Sequence, residues 1–184
     1  MAITKYTKTC GKNIPGSSRI FFTEAANITS ITVTDDQVSA LTMESNTKFA
    51  EFAADLDSIK MTVEGKGSTS YSKTLKLEAK FSKKTKDLIA AESALADAVA
   101  CGVAVIRVDN NGYAWLSGYT LNDKNKRAYT KITSTFDSGT KPSDEDTAAY
   151  TITLEAEGFE DEMPFDATLT ATIVGGTATF IDYN

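Results

Sequence analysis

With 25 carboxylates and no histidine, the 184-residue chain has little of the usual catalytic equipment. Without imidazole it has no Ser-His-Asp triad, no Cys-His pair and no histidine ligand for zinc. Its two cysteines, Cys10 and Cys101, cannot build a zinc knuckle by themselves. Asp55 with Asp57, and Asp144 with Asp146, have the spacing of carboxylate pairs, but both pairs lie in polar stretches. A working acid–base pair needs desolvation to part the two pKa values, and such surroundings do not supply it. Asp109-Asn110-Asn111-Gly112 shares letters with a calcium loop, yet Trp115 and Leu116 follow where that loop needs oxygen ligands and a closing glutamate. Gly65-Lys66-Gly67-Ser68 is half a phosphate-binding loop, without the Gly-Lys-Ser/Thr ending or a following helix. Asn27-Ile28-Thr29 is a glycosylation sequon, which matters only in an exported chain. The sequence therefore predicts no catalytic residue, no cofactor and no metal site, and a protein that is not an enzyme.

The elements that would position any site are mostly strands. Ile31 and Val33 alternate with threonine, Ile59, Met61 and Val63 alternate with polar partners, and Leu75, Leu77, Ala79 and Phe81 do the same. Tyr150, Ile152, Leu154 and Ala156 repeat the pattern, as do Leu169, Ala171 and Ile173. Strict period two gives each strand one dry and one wet face, which is the mark of antiparallel sheet. Val103 to Val108 is a nearly unbroken apolar run, and Asn111-Gly112 after it predicts a type I′ hairpin turn into Tyr113–Tyr119. One helix is expected at about 84–100, where Leu88, Ala91, Leu95, Ala98 and Val99 form an apolar stripe. Ser82 or Thr85 can cap its start, and Gly102 suits its exit. The stretch 44–57, with Phe49, Phe52 and Leu56 among polar residues, reads as a long excursion. Residues 1–18 read as an extended N-terminal arm, ending in Ile14-Pro15-Gly16-Ser17-Ser18. The fold class that follows is mainly β (α+β). Antiparallel sandwich- or barrel-forming sheets are flanked by one α-helix, in a single domain over 1–184.

Net charge is −6 and the isoelectric point about 4.8, a balance that repels free nucleic acid. Met1 to Thr9 is polar where a signal peptide would be apolar, and no apolar run reaches transmembrane length. The expectation is synthesis in a reducing cytosol with free thiols, Cys101 buried and Cys10 exposed, and no membrane partner.

The run from Thr85 to Ala100, then Gly102-Val103-Ala104-Val105-Ile106-Arg107-Val108-Asp109-Asn110-Asn111-Gly112-Tyr113-Ala114-Trp115-Leu116-Ser117-Gly118-Tyr119, resembles the central part of phage tail-tube proteins and related virion ring or neck proteins. Ile132 to Thr140, with Asp144 and Tyr150 to Glu157, is similar to the loop and strand that follow there. The likeness spans roughly residues 82 to 165 and is a pattern of parts rather than a diagnostic motif. It implies a virion structural protein assembled in the host cytoplasm, with itself and other tail or neck proteins as partners. Copies would form stacked homo-oligomeric rings, commonly hexamers, whose sheets join into an inner barrel. DNA would pass through in transit without being held tightly. Arms and long loops would bridge neighbours, which makes Tyr6, Cys10, Ile14, Phe49 and Phe52 candidate subunit contacts. Asp144, Glu145, Asp146, Glu155 and Glu157 become a candidate acidic lining or charge-complementary patch, with Lys83, Lys84 and Lys86 as its basic partner.

Two alternatives stand beside the tail tube. One is a neck or connector ring of the virion. The other is a monomeric module that binds a carbohydrate or peptide on a stripe of Tyr113, Trp115 and Tyr119, three residues of one strand parity.

Overall fold

The computed structural model describes residues 14–55, 57–66, 72–119, 128–139, 149–158, 161–165, 169–173 and 176–180, with Lys66 and the last two segments described by their backbone alone. Thirteen strands and one α-helix appear among them, a mainly-β fold with antiparallel sheets.

The first sheet has five strands. β1 (Ser17–Glu24) pairs with β7 (Val103–Asp109) along its whole length and with the two-residue β4 (Ala50–Glu51) on its other side. β7 continues to β8 (Ala114–Ser117), and β8 to β11 (Met163–Pro164). The second sheet has four strands, in the order β5 (Lys60–Lys66), β6 (Ser72–Phe81), β10 (Ala149–Gly158) and β9 (Lys131–Asp137). β2 (Ile28–Thr34) with β3 (Gln37–Met43), and β12 (Leu169–Ile173) with β13 (Gly176–Phe180), are separate hairpins.

Period two decides which faces meet. Leu75, Leu77, Ala79 and Phe81 of β6 and Tyr150, Ile152, Leu154 and Ala156 of β10 are all buried. They pack against Ile20 and Phe22 of β1 and Val103 and Val105 of β7, which makes the sandwich core. The intervening residues of β1 and β7, Phe21, Ala104 and Ile106, face the other way into a second core with Val38, Phe49 and Phe165. The five-stranded sheet is therefore dry on both faces, which explains the continuous apolar run at Val103–Ile106. The four-stranded sheet is dry on one face only.

Helix α1 (Lys86–Cys101) starts at Thr85, whose hydroxyl accepts the Leu88 N–H at 3.1 Å, and ends at Gly102 with φ of 95°. Its stripe buries Leu95 and Val99 in the sandwich core, and it packs on β1 of one sheet and β9 of the other. Cys101 closes the helix exposed and unbridged, not buried as expected, because position 101 falls off the Leu95–Val99 stripe. The arm also ends sooner than expected. Ser17 and Ser18 belong to β1, and Ser17 is buried.

The hairpin turns differ from the sequence reading in an instructive way. Between β7 and β8 only Gly112 has positive φ, 91°, so the loop is not type I′. The Asp109 N–H donates to the Tyr113 carbonyl, and the Gly112 N–H to that of Asp109, which gives a three-residue loop with glycine in the left-handed position. The Asp109 carboxylate draws it tight, accepting the Asn111 and Tyr113 N–H groups at 2.9 and 3.0 Å. A two-residue loop with positive φ at both central positions exists elsewhere, at Asp35 (51°) and Asp36 (63°) between β2 and β3.

Candidate functional site

The four-stranded sheet has an unusual outer face. Its residues outside the core are almost all threonine, lysine or glutamate, arranged in rows across the strands. One row runs Thr62, Lys76, Glu155, Lys131, and the next Lys60, Glu78, Thr153, Thr133. Every lysine in these rows has a carboxylate beside or diagonal to it, a neutralising pattern for directly opposed strands. Glu157 accepts Lys131 Nζ at 3.1 Å, with both side chains more than half exposed. Glu155 and Glu157 therefore do not form an acidic field. They are interleaved with Lys76 and Lys131 of the same chain rather than set against Lys83, Lys84 or Lys86.

The margins of this sheet are β5 and β9, each seven residues long. On β9 all residues but Ile132 are exposed, including Phe136 at 42%. Strand direction alternates across β5, β6, β10 and β9, so the two margins run antiparallel to each other. Both leave the sandwich at a corner where the sheets touch: Ile59 bridges to Ser17 just before β5, and Tyr129 to Val103 just before β9.

The expected subunit contacts divide. Phe49 is fully buried in the second core and Phe52 stacks edge-on to Phe22 at 4.8 Å, half-buried against the sandwich core. The chain's own core takes both rings, which corrects their assignment to a neighbouring copy. Residues 50–51 between them are strand β4, so the excursion is partly sheet. Ile14 is exposed, but its backbone is held: its N–H donates to Asn111 Oδ1 at 3.0 Å and its carbonyl accepts Asn111 Nδ2 at 3.2 Å. Asn110 Nδ2 donates to the Pro15 carbonyl and to Asp57 Oδ1, and the Asn110 N–H to the Gly16 carbonyl. The Asn110-Asn111 turn thus clamps the point where the chain enters β1. Tyr6, Cys10, Asp144, Glu145 and Asp146 lie outside the described residues. Lys83, Lys84 and Lys86 are exposed at the head of α1. They do not stand as a detached patch, since Lys84 Nζ lies over the rings of Phe136 (4.8 Å) and Tyr150 (5.6 Å), at the end of β9.

The aromatic stripe does not form. Tyr119 falls beyond β8 and is buried in the second core, and burial raises its hydroxyl pKa. Trp115 lies opposite Arg107 in the ladder, with the guanidinium 5.4 Å from its ring, and gives its indole N–H to Asp109 Oδ2. Arg107 is itself engaged by both oxygens of Glu162 at 2.5 and 2.6 Å, and by Ser17 Oγ at 3.1 Å. That cluster is a satisfied internal network, which sequence reasoning missed because Arg107 and Glu162 are far apart in the chain. The only signal was a lone arginine in an apolar strand, since a buried guanidinium requires a carboxylate partner.

Among the described residues no three Cys, Asp or Glu side chains gather as a metal site would need, and no helix is long and apolar enough to cross a membrane. The fold defines a class, an antiparallel two-sheet sandwich with one helix and an additional hairpin layer. Beyond that class, comparison with protein-family models, curated proteins and solved structures finds no match.

Proposed function

We propose that the chain is a self-assembling virion structural subunit of the tail-tube type, whose copies join through the margins of the four-stranded sheet. One observation carries this reading: a sheet dry on one face and wet on the other, whose two seven-residue margins pair with no further strand among the described residues and run antiparallel. Copies set head to tail around an axis bring β9 of one against β5 of the next in the antiparallel sense a ladder requires. Such a heterologous joint makes a ring when its rotation closes. Open margins of this length are otherwise an aggregation hazard. The wet face then lines the lumen. Lys60, Lys76 and Lys131 on it stand opposite Glu78 or Glu155, which limits the positive field it offers a passing polyanion.

A neck ring uses the same joint and falls within the proposal. The carbohydrate- or peptide-binding module loses its footing, because Trp115 is committed to Asp109 and Arg107 and Tyr119 to the core. Negative-stain microscopy of the purified full chain at high concentration tests the reading. Rings or tubes are expected, and a field of single particles that stays monomeric as concentration rises overturns it.

A further inference from the structure

We infer that β9 also pairs with β9 of a second copy about a twofold axis through Ser134, forming a dimer that holds this margin closed. The inference goes beyond the ring reading and rests on the strand's own order of residues. Lys131-Ile132-Thr133-Ser134-Thr135-Phe136-Asp137 is symmetric in character about its middle. Turned on itself, the strand sets Lys131 opposite Asp137 at both ends and Thr133 opposite Thr135 on the wet face. Ile132 meets Phe136 on the core side, and Ser134 meets its own copy on the axis.

Directly opposed side chains in an antiparallel pair stand about 5 Å apart, close enough for each match to count. The two apolar matches cover Phe136, one of the few large hydrophobic side chains left exposed. Ser134, Thr133 and Thr135 are small and exposed, so nothing on the strand itself obstructs the approach. Nor does β9 carry the usual defences of an edge: it has no proline, and its register with β10 runs from Ala149↔Asp137 to Glu155↔Lys131 without a bulge. Its end charges, which would repel most partners in some register, are of opposite sign and attract in this one.

The other margin behaves oppositely. A twofold pairing of β5 about Val63 sets Lys60 opposite Lys66 and Thr62 opposite Glu64, with like charges at both ends. Only β9 is self-complementary. A margin pairs with one partner at a time, so the β9 dimer and the β9-to-β5 joint exclude each other. The dimer is the form that keeps β9 covered until rings begin.

Charge reversal gives a test that no head-to-tail joint can imitate. Light scattering on the eluting full chain at micromolar concentration is expected to give twice the 19.8 kDa chain mass. Lys131→Glu alone, and Asp137→Lys alone, each oppose like charges twice and are expected to weaken the dimer at least tenfold. Mixing the two variants in equal amounts restores opposite charges at both ends, and so does the double variant; both should return the dimer. Circular dichroism melts confirm that each variant folds. The inference is overturned if the wild type is monomeric, if the single variants dimerise as well as the wild type, or if the mixture stays monomeric. The same samples are imaged: rings without a dimer overturn the twofold pair and leave the ring reading standing, and a dimer without rings does the reverse.

Discussion

Asp35 and Asp36 are consecutive residues that both hold positive φ, 51° and 63°, and together they turn β2 into β3 with Thr34 opposite Gln37. A two-residue hairpin loop needs this geometry because its twist matches that of the flanking strands, and glycine at the second position is what the geometry favours. Aspartate tolerates the left-handed region better than most residues but is strained there, and two adjacent carboxylates repel.

Asp36→Gly is therefore expected to stabilise the protein by about 0.5 kcal/mol, the relief of strain exceeding the added chain entropy of the unfolded state. Asp36→Val puts a β-branched side chain at positive φ and is expected to cost about 1–3 kcal/mol. Urea midpoints for the two variants should move in opposite directions. Equal shifts would mean that the loop does not set hairpin stability.

How far the sequence revealed the fold depended on the range of each signal. The stripe ending in Leu95 and Val99 and the alternation from Leu75 to Phe81 are local, and both predicted the right element on the right face. The turn chemistry misled because Asn111-Gly112 is the stronger dipeptide, yet the Asp109 carboxylate organises that loop while the double positive φ falls on Asp35-Asp36. β4 and β11 were invisible because two residues have no period. Phe49 looked like an outlying contact since its neighbours in sequence are polar, and only the folded β1 and β3 give it a core to enter. Of the outer face of the four-stranded sheet, the alternation in β10 was legible, but the lysines beside Glu155 and Glu157 come from β6 and β9 and needed the register.

The Arg107–Glu162 pair is the most deeply buried ion pair among those described, with side chains 13% and 8% exposed. Removing one member of such a pair strands the other charge, which costs about 3–5 kcal/mol. Glu162→Ala is expected to fall in that range, whereas Arg107→Met with Glu162→Leu should recover most of the loss by substituting packing for charge. Thermal melts of the three proteins check this. A double variant no better than Glu162→Ala would show that Ser17 and Trp115 also depend on the guanidinium.

The Asn111 carboxamide both accepts from and donates to the backbone of Ile14, so it fastens the chain before β1. Asn111→Ala removes both bonds, and the Ile14 amide is expected to exchange with solvent at least about tenfold faster, in keeping with the loss of about 1.4 kcal/mol. Amides in β10, which do not depend on this turn, should keep their rates. Hydrogen exchange read residue by residue distinguishes a local release from global unfolding, and parallel acceleration in β10 would mean that the clamp supports the whole fold.

Tyr129 is fully buried, and its hydroxyl meets Ser117 Oγ at 3.0 Å. Burial is the chief cause that pushes its pKa far above the ordinary value of 10.0, with Ser117 opposing. The sign of the consequence is fixed by proton counts. Below pH 10 the folded and unfolded states both keep the phenol protonated, and the contribution is constant. Above it the unfolded chain gives up a proton that the folded chain retains, so stability falls as pH rises. Denaturant midpoints measured from pH 9 upward are expected to drop along that slope. Tyr129→Phe, somewhat less stable at neutral pH because Ser117 loses its partner, should show a slope shallower by one proton, since that group no longer titrates in either state. An unchanged slope in the phenylalanine variant would place the alkaline sensitivity in other groups and deny Tyr129 its role at the corner where β9 begins.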